Sequence, residues 1–202
     1  NNNENENNKN NVIIKPFPSL EFQNIINTCL SMRIDNNERL WLLDFTFHGI
    51  FQQPKLYSFN LLTSNSELVV SYTFPSNIAG FGSMLNDFNI SPDNKYIYIA
   101  DTSFVASTPA LIVYNIELSK SYRLLSSNPQ FYGLSTFLKI PPYQIKFGPF
   151  GLKINLDSIA LTRDGNALYF SPFTNSNLLC LDTKYIHESI NCIDNYNQES
   201  GQ

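Results

Sequence analysis

Charge is scarce in this sequence: only 15% of its 202 residues are Asp, Glu, Lys or Arg, and the 13 basic residues are scattered singly. With a formal net charge of −4 and a pI near 5.1, it has no basic stripe to neutralise phosphates. That excludes nucleic acid and an anionic membrane surface as expected partners. No run of about 18 apolar residues is present to span a bilayer. Cysteine is equally sparse. Cys29, Cys180 and Cys192 form no CxxC pair and have no histidine at metal-ligand spacing, which removes zinc sites. The three are compatible with one disulfide or with buried or free thiols. The only histidines, His48 and His187, stand in no nucleophile motif, so hydrolase triads have no support. Long stretches with apolar residues at i, i+3, i+4 and i+7 are missing too, so no long helix is expected. An opening methionine and a charged, apolar leader are also absent. A signal peptide is therefore expected to have been removed or never to have belonged to the chain.

Hydrophobic residues make up 43% of the chain and aromatics 14%, enough to build a core. Asparagine is in excess, with 27 residues, and favours turns and caps over helix interiors. Residues 1–18 are expected to be a disordered Asn-rich tail, and 186–202 a poorly ordered C-terminal tail, because such segments bury too little apolar surface to offset their ordering entropy. Between them, residues 19–185 read as short β-runs separated by polar turns. Expected strands include Ile25–Ile34, Arg39–Asp44, Lys55–Leu61, Glu67–Phe74, Leu85–Ile90, Tyr96–Asp101, Leu111–Ile116, Tyr122–Leu125, Ser158–Leu161, Ala167–Ser171 and Leu178–Asp182. The run Leu111, Ile112, Val113, Tyr114 is apolar throughout, as in a strand buried on both faces.

The turns reveal a repeat. SPDNKYIYIADT from Ser91 aligns with TRDGNALYFSPF from Thr162, so that Asp93 matches Asp164 and Tyr98 matches Tyr169. IDNNERLWLLDF from Ile34 is a looser third copy, with Trp41 in place of Tyr98 and Asp44 in place of Asp101. A polar turn followed by a strand with a central aromatic, once per several strands, is the pattern of β-propeller blades. A β-sandwich is the rival reading. The Pro-, Gly- and aromatic-rich segment Pro129 to Leu152 interrupts the pattern, either as a loop over one face of the propeller or as an insertion packed on the sheets.

The order of these pieces resembles the major royal jelly protein and yellow family. The resemblance rests on SMRIDNNERLWLLDF, with Asp35, Arg39, Leu40, Trp41 and Asp44, and on PKLYSFNLLT, LNDFNISPDNKYIYIADTS, LIVYNIELSKSYRLL and DSIALTRDGNALYFSPFTNSNLLCLDT, collinear from about Ile25 to Thr183. Two departures are the missing cysteine between Asn36 and Glu38 and the missing glycine after Asp44. The resemblance implies an all-β, six-bladed propeller of a secreted kind. At roughly 40 to 50 residues or more per blade, this chain supplies about three to four blades. It is therefore expected to be a fragment, or to need the rest of a propeller or a second chain to close the fold.

In a propeller the innermost strand of each blade lines the central channel. The candidate ligand-binding residues are Asn86 and Asp87 at the start of one such strand, Asp157 at the equivalent point of another, and Asp101 at a strand end. For Asp44 and Asp101 the competing reading is a turn or cap that accepts backbone N–H groups. Trp41, Tyr98 and Tyr169 are expected in the core between sheets rather than in an aromatic cage. No metal or cofactor is expected: related gluconolactonase and regucalcin propellers use a Glu, Asn and Asp set, and here Asp157 stands for the Asn and Pro172 for the Asp. Asn89 begins a glycosylation pattern that chance alone would supply. Family members bind amines or rearrange oxidised catechols. The resemblance thus implies a small amine or aromatic ligand, an isomerase acting on a dopachrome-like substrate, or a structural propeller without ligand.

Overall fold

The computed structural model describes residues 13–47, 52–135, 138–140, 142–145 and 151–200. Its strands form successive antiparallel sheets. The first blade contains β1 (Cys29–Ile34), β2 (Arg39–Asp44), β3 (Lys55–Asn60) and β4 (Leu68–Thr73), hydrogen-bonded in chain order. The second contains β5 (Leu85–Ile90), β6 (Tyr96–Asp101), β7 (Ala110–Asn115) and β8 (Lys120–Leu124), also in chain order. A short hairpin follows, β9 (Leu138–Ile140) with β10 (Tyr143–Ile145). The third blade has three strands, β11 (Leu156–Leu161), β12 (Ala167–Pro172) and β13 (Leu179–Asp182), and runs directly into a helix, α1 (Thr183–Ser200). The first strands of the blades, β1, β5 and β11, are neighbours, with β5 in the middle. Meanders placed side by side with their first strands innermost are the blades of a β-propeller.

Alternation along each strand builds the seams between blades. Trp41, Leu43 and Leu56 of the first blade pack with Ile97, Ile99, Ile112 and Tyr114 of the second. Tyr98, Leu111 and Val113 on the other face of the second blade pack with Ile159, Leu168 and Phe170 of the third. The second blade is therefore apolar on both faces, and all six residues of β7 are buried. Burial of each such side chain is worth about 1.5–3 kcal/mol. Tyr169 departs from expectation: Trp41 and Tyr98 are fully buried, whereas Tyr169 is 40% exposed. Each of these aromatics faces the following blade, and among the described residues no sheet follows the third.

The turns work as their residues require. Asp35 accepts from Asn37 N, Arg39 N, Arg39 Nε and Trp41 Nε1. Burial opposes its charge, yet these donors hold its carboxyl below the ordinary value. Ser91 with Asp93, and Thr162 with Asp164, close the equivalent turns of the other blades through hydrogen bonds of 2.6 Å. Gly165 takes a φ of +78° there and lies against the Pro92 ring, where a side chain would collide.

Of the two expected tails, the C-terminal one needs correction. Residues 1–12 lie outside the described residues, but Phe17 packs edge-on against Phe59 at 5.5 Å, and Phe22 against Tyr57 and Phe59 at 5.2 and 4.9 Å. The aromatic side chains near this end thus dock on the outer face of the first blade. Residues 183–200 form α1 instead of a loose tail. Asp182 caps its start through Lys184 N, and Ile186 and Ile190, one turn apart, are buried against Tyr98 and Tyr122. Within the expected excursion, Phe131 is buried edge-on against Phe170. Gly133 passes so close to Ile154 O that no side chain would fit. The described start of that segment is fastened to the third blade.

Candidate functional site

Each inner strand carries a β-bulge at the same place. Leu30 is the extra residue of β1, between the pairs Cys29 with Asp44 and Ser31 with Leu43. In β5 the shift falls between Leu85, paired with Asp101, and Phe88, paired with Ile99, so that Asn86 and Asp87 stand opposite Ala100. In β11 the extra residue is Asp157, between Leu156 with Pro172 and Ser158 with Ser171. A bulge re-aims side chains and frees them from the ladder's alternation. Leu30, Asn86 and Asp157 are thus equivalent residues of three blades.

Two of these equivalents meet. Asn86 Nδ2 donates to Asp157 Oδ1 at 2.8 Å and to Asp157 O at 3.3 Å across the gap between blades. One turn of the pleat onward, Asn89 Nδ2 donates to Ile159 O at 2.8 Å. Asp87 accepts from Arg33 Nη2 of β1 at 2.7 Å and from its neighbour Phe88 N at 2.9 Å. Arg33 also lies 5.7 Å over the Phe88 ring. Inner strands of three blades are therefore tied by polar side chains, with two carboxylates on either side of one amide. Burial first, and the negative charge of Asp87 second, push the Asp157 carboxyl above its ordinary value. Among the described residues no lysine or arginine pairs with Asp157. The cluster holds one cation for two carboxylates, an arrangement that favours a further positive charge or a shared proton.

Asp101 stands apart from this group. It is fully buried at the far end of β6, accepting from Met84 N at 2.8 Å, Ser103 N at 2.9 Å and Ser83 Oγ at 3.2 Å, and pairing with Arg123 Nη1 at 2.7 Å. Arg123 is fixed further by Ile78 O and Thr108 O. Asp44 does the same work in the first blade, accepting from Asn27 N, Thr28 N and Thr46 N. Both acids splice the end of the second strand to the chain entering the first, as the turn-and-cap reading expects. Pro172 occupies this point in the third blade, where Asn155 takes over, donating to Thr102 O and accepting from Gly133 N.

Arg33 was not among the residues singled out from sequence; a basic residue on an inner strand, in a chain with so few, was its signal. A second polar locus was also missed. A groove of about 530 Å³ at the seam of the second and third blades is lined by Asp93, Asp164, Asp182, Lys184, Tyr98 and His187, among others. His187 Nε2 meets Tyr98 Oη at 2.8 Å and its ring stacks on Tyr96 at 4.4 Å. Burial lowers the His187 pKa, and the charge of Asp93 opposes that shift. Tyr122 Oη and Lys120 Nζ both donate to Asp194, which completes the fastening of α1 to the second blade. His48 lies outside the described residues. Among the described residues no group of three or more His, Cys, Asp or Glu could hold a metal ion, and all three cysteines are free thiols.

Radial antiparallel blades joined through bulged inner strands make this an all-β propeller. The profile of the Major royal jelly protein family matches residues 28–200, and the chain belongs to that family. It is 29% identical over 189 residues to major royal jelly protein 3 of Apis mellifera, covering 85% of this chain and 32% of that protein. The match to major royal jelly protein 2 of the same species is also 29%, over 190 residues, covering 85% and 39%. The chain thus spans about a third of the length of the relatives it matches. Among solved structures, a Lactobacillus plantarum protein aligns with a TM-score of 0.45 and 20% identity over 76% of this chain and 37% of that one. TolB from Acinetobacter baumannii aligns at 0.37 and 14%, over 77% and 41%. No described helix is long and apolar enough to cross a membrane.

Proposed function

We propose that the inner-strand cluster of Asn86, Asp87 and Asp157 binds a small positively charged molecule, an amine with or without an aromatic ring. The observation that carries this reading is Asp157: a carboxylate withdrawn from water beside a second carboxylate, met by the Asn86 amide rather than by a cation. A ligand ammonium would supply the missing charge, with Asp157 and Asp87 accepting its hydrogen bonds and Asn86 holding Asp157 in place. A secreted setting goes with this reading on the family resemblance. Asp101 has no part in it, because its oxygens are already committed to Arg123 and the backbone.

Calorimetric titration of the protein with phenethylamine and with n-butylamine tests the proposal. Expected is saturable heat at neutral pH, weakened at least tenfold by Asp157→Asn and lost as pH falls through the raised Asp157 pKa. Absence of heat with both amines, or binding indifferent to Asp157→Asn, refutes it. The raised carboxyl pKa also suits a proton acceptor for rearrangement of an oxidised catechol. That second reading requires turnover that Asp157→Asn abolishes.

A further inference from the structure

The two carboxylates of the inner strands differ in what already holds them. Among the described residues the Asp157 carboxyl meets the Asn86 amide alone, whereas Asp87 has a cation of its own, Arg33, whose Nη2 donates to Asp87 Oδ1 at 2.7 Å. Arg33 reaches across from the first blade and is fixed on two further sides. Its Nη1 donates to Met32 O at 2.9 Å, and its guanidinium lies 5.7 Å over the ring of Phe88, the residue after Asp87. Phe88 N in turn donates to Asp87 Oδ1 at 2.9 Å, so that guanidinium, ring and carboxylate form one group. Among the described residues no other lysine or arginine pairs with either acid.

A partly exposed ion pair of this kind adds little to stability. Its larger effect is on the charge that the cluster presents to a ligand. With both carboxylates ionised and Arg33 in place, one negative charge is left over; without Arg33 there would be a second. Among the described residues neither Asp87 Oδ2 nor Asp157 Oδ2 accepts a hydrogen bond, which leaves acceptors for the N–H groups of one ammonium. A second ammonium on the same molecule would find Asp87 already neutralised and the like charge of Arg33 beside it.

We infer that Arg33 is a specificity-determining residue: a built-in counter-ion that fits the inner-strand cluster to ligands with a single positive charge and gives a second charge on the ligand no advantage. The inference rests on the amine reading of this cluster and adds which amines it selects. Arg33 acts through Asp87, by withholding that carboxylate's charge from the ligand.

Paired calorimetric titrations with n-butylamine and 1,4-diaminobutane, which share a carbon chain and differ by one ammonium, test it. In the unaltered protein the two affinities should agree within about threefold, little beyond the statistical advantage of a molecule with two identical ends. Arg33→Gln releases Asp87 and should raise the affinity for the diamine relative to the monoamine by about tenfold. Arg33→Lys keeps the charge and should keep the unaltered ratio. Combining Arg33→Gln with Asp87→Asn removes both members of the pair and should return the ratio to its unaltered value, which a mere loss of packing would not do. A ratio that Arg33→Gln leaves unchanged, a diamine preference that survives in the double variant, or a preference above about threefold in the unaltered protein overturns the inference while the amine reading stands. No heat from either amine with any of these proteins refutes the amine reading itself, and this inference with it. If far-UV circular dichroism shows that Arg33→Gln fails to fold, the ratios in the unaltered protein and in Arg33→Lys decide.

Discussion

The end of β6 and the inner strands each hold a carboxylate away from bulk water, and they hold it in opposite ways. Asp101 is surrounded by donors: the N–H groups of Met84 and Ser103, the Ser83 hydroxyl and the guanidinium of Arg123. Asp157 faces an amide and a second acid, and the protein disfavours its charge. A fully met carboxylate fixes geometry. One that the fold leaves under-compensated is free to take a ligand or a proton. Burial alone does not distinguish the two; the sign and number of the neighbouring donors do.

The widest gap between the two regions is expected in stability. Asp101→Ala strands Arg123 and two backbone N–H groups, and should cost about 3–5 kcal/mol in urea unfolding. Asp157→Asn keeps the shape and removes a disfavoured charge, so its unfolding midpoint at pH 7 should equal or exceed that of the unaltered protein. A large loss for Asp157→Asn would erase the distinction.

The aromatic repeat gives the next largest contrast. Trp41→Ala empties a sealed seam and should cost about 3–5 kcal/mol. Tyr169→Ala in the single chain, with its ring partly in water, should change stability by about 0.5 kcal/mol or less. Equal losses would mean that the third blade's face is covered.

A smaller effect is expected at α1. The folded pKa of His187 lies below the ordinary value of 6.5, so between the two the unfolded segment holds more protons. Its stabilising contribution is therefore complete above 6.5 and is lost as pH falls through the folded value. Helical ellipticity should decline on acidification before the sheet signal does, and His187→Gln should remove that pH dependence. The smallest effect belongs to Asp157, whose folded pKa is raised. Above its ordinary value of 3.8 its growing charge opposes folding, so the advantage of Asp157→Asn at neutral pH should vanish as pH falls below that value.

Strand positions were legible wherever local chemistry determines them. Arg39–Asp44, Leu85–Ile90 and Tyr96–Asp101 coincide with the runs read from alternation and turn residues. The third blade's equivalence to the second was legible too, and it places Asp157 in register with Asn86. The bulges were not, because a one-residue shift in pairing leaves no trace in composition. α1 was hidden by asparagine, although Ile186, Ile190 and Ile193 follow the Asp182 cap at helical spacing. Tyr169 shows a different limit. Its strand is the same as that of Tyr98, and burial is conferred by the neighbouring sheet, which no local pattern encodes.

The bulge has a consequence for how such a site can change. Asn86 and Asp157 are the same position of successive repeats, 71 residues apart, and they touch. A duplicated blade therefore brings its own contribution to the axis, one side chain per copy, with the strand geometry that presents it already in place. Leu30 is the apolar member of the series. Exchanging residues at this single register position changes the polarity of the axis blade by blade while the seams that carry stability stay untouched, so binding chemistry and folding can diverge independently in the same repeat.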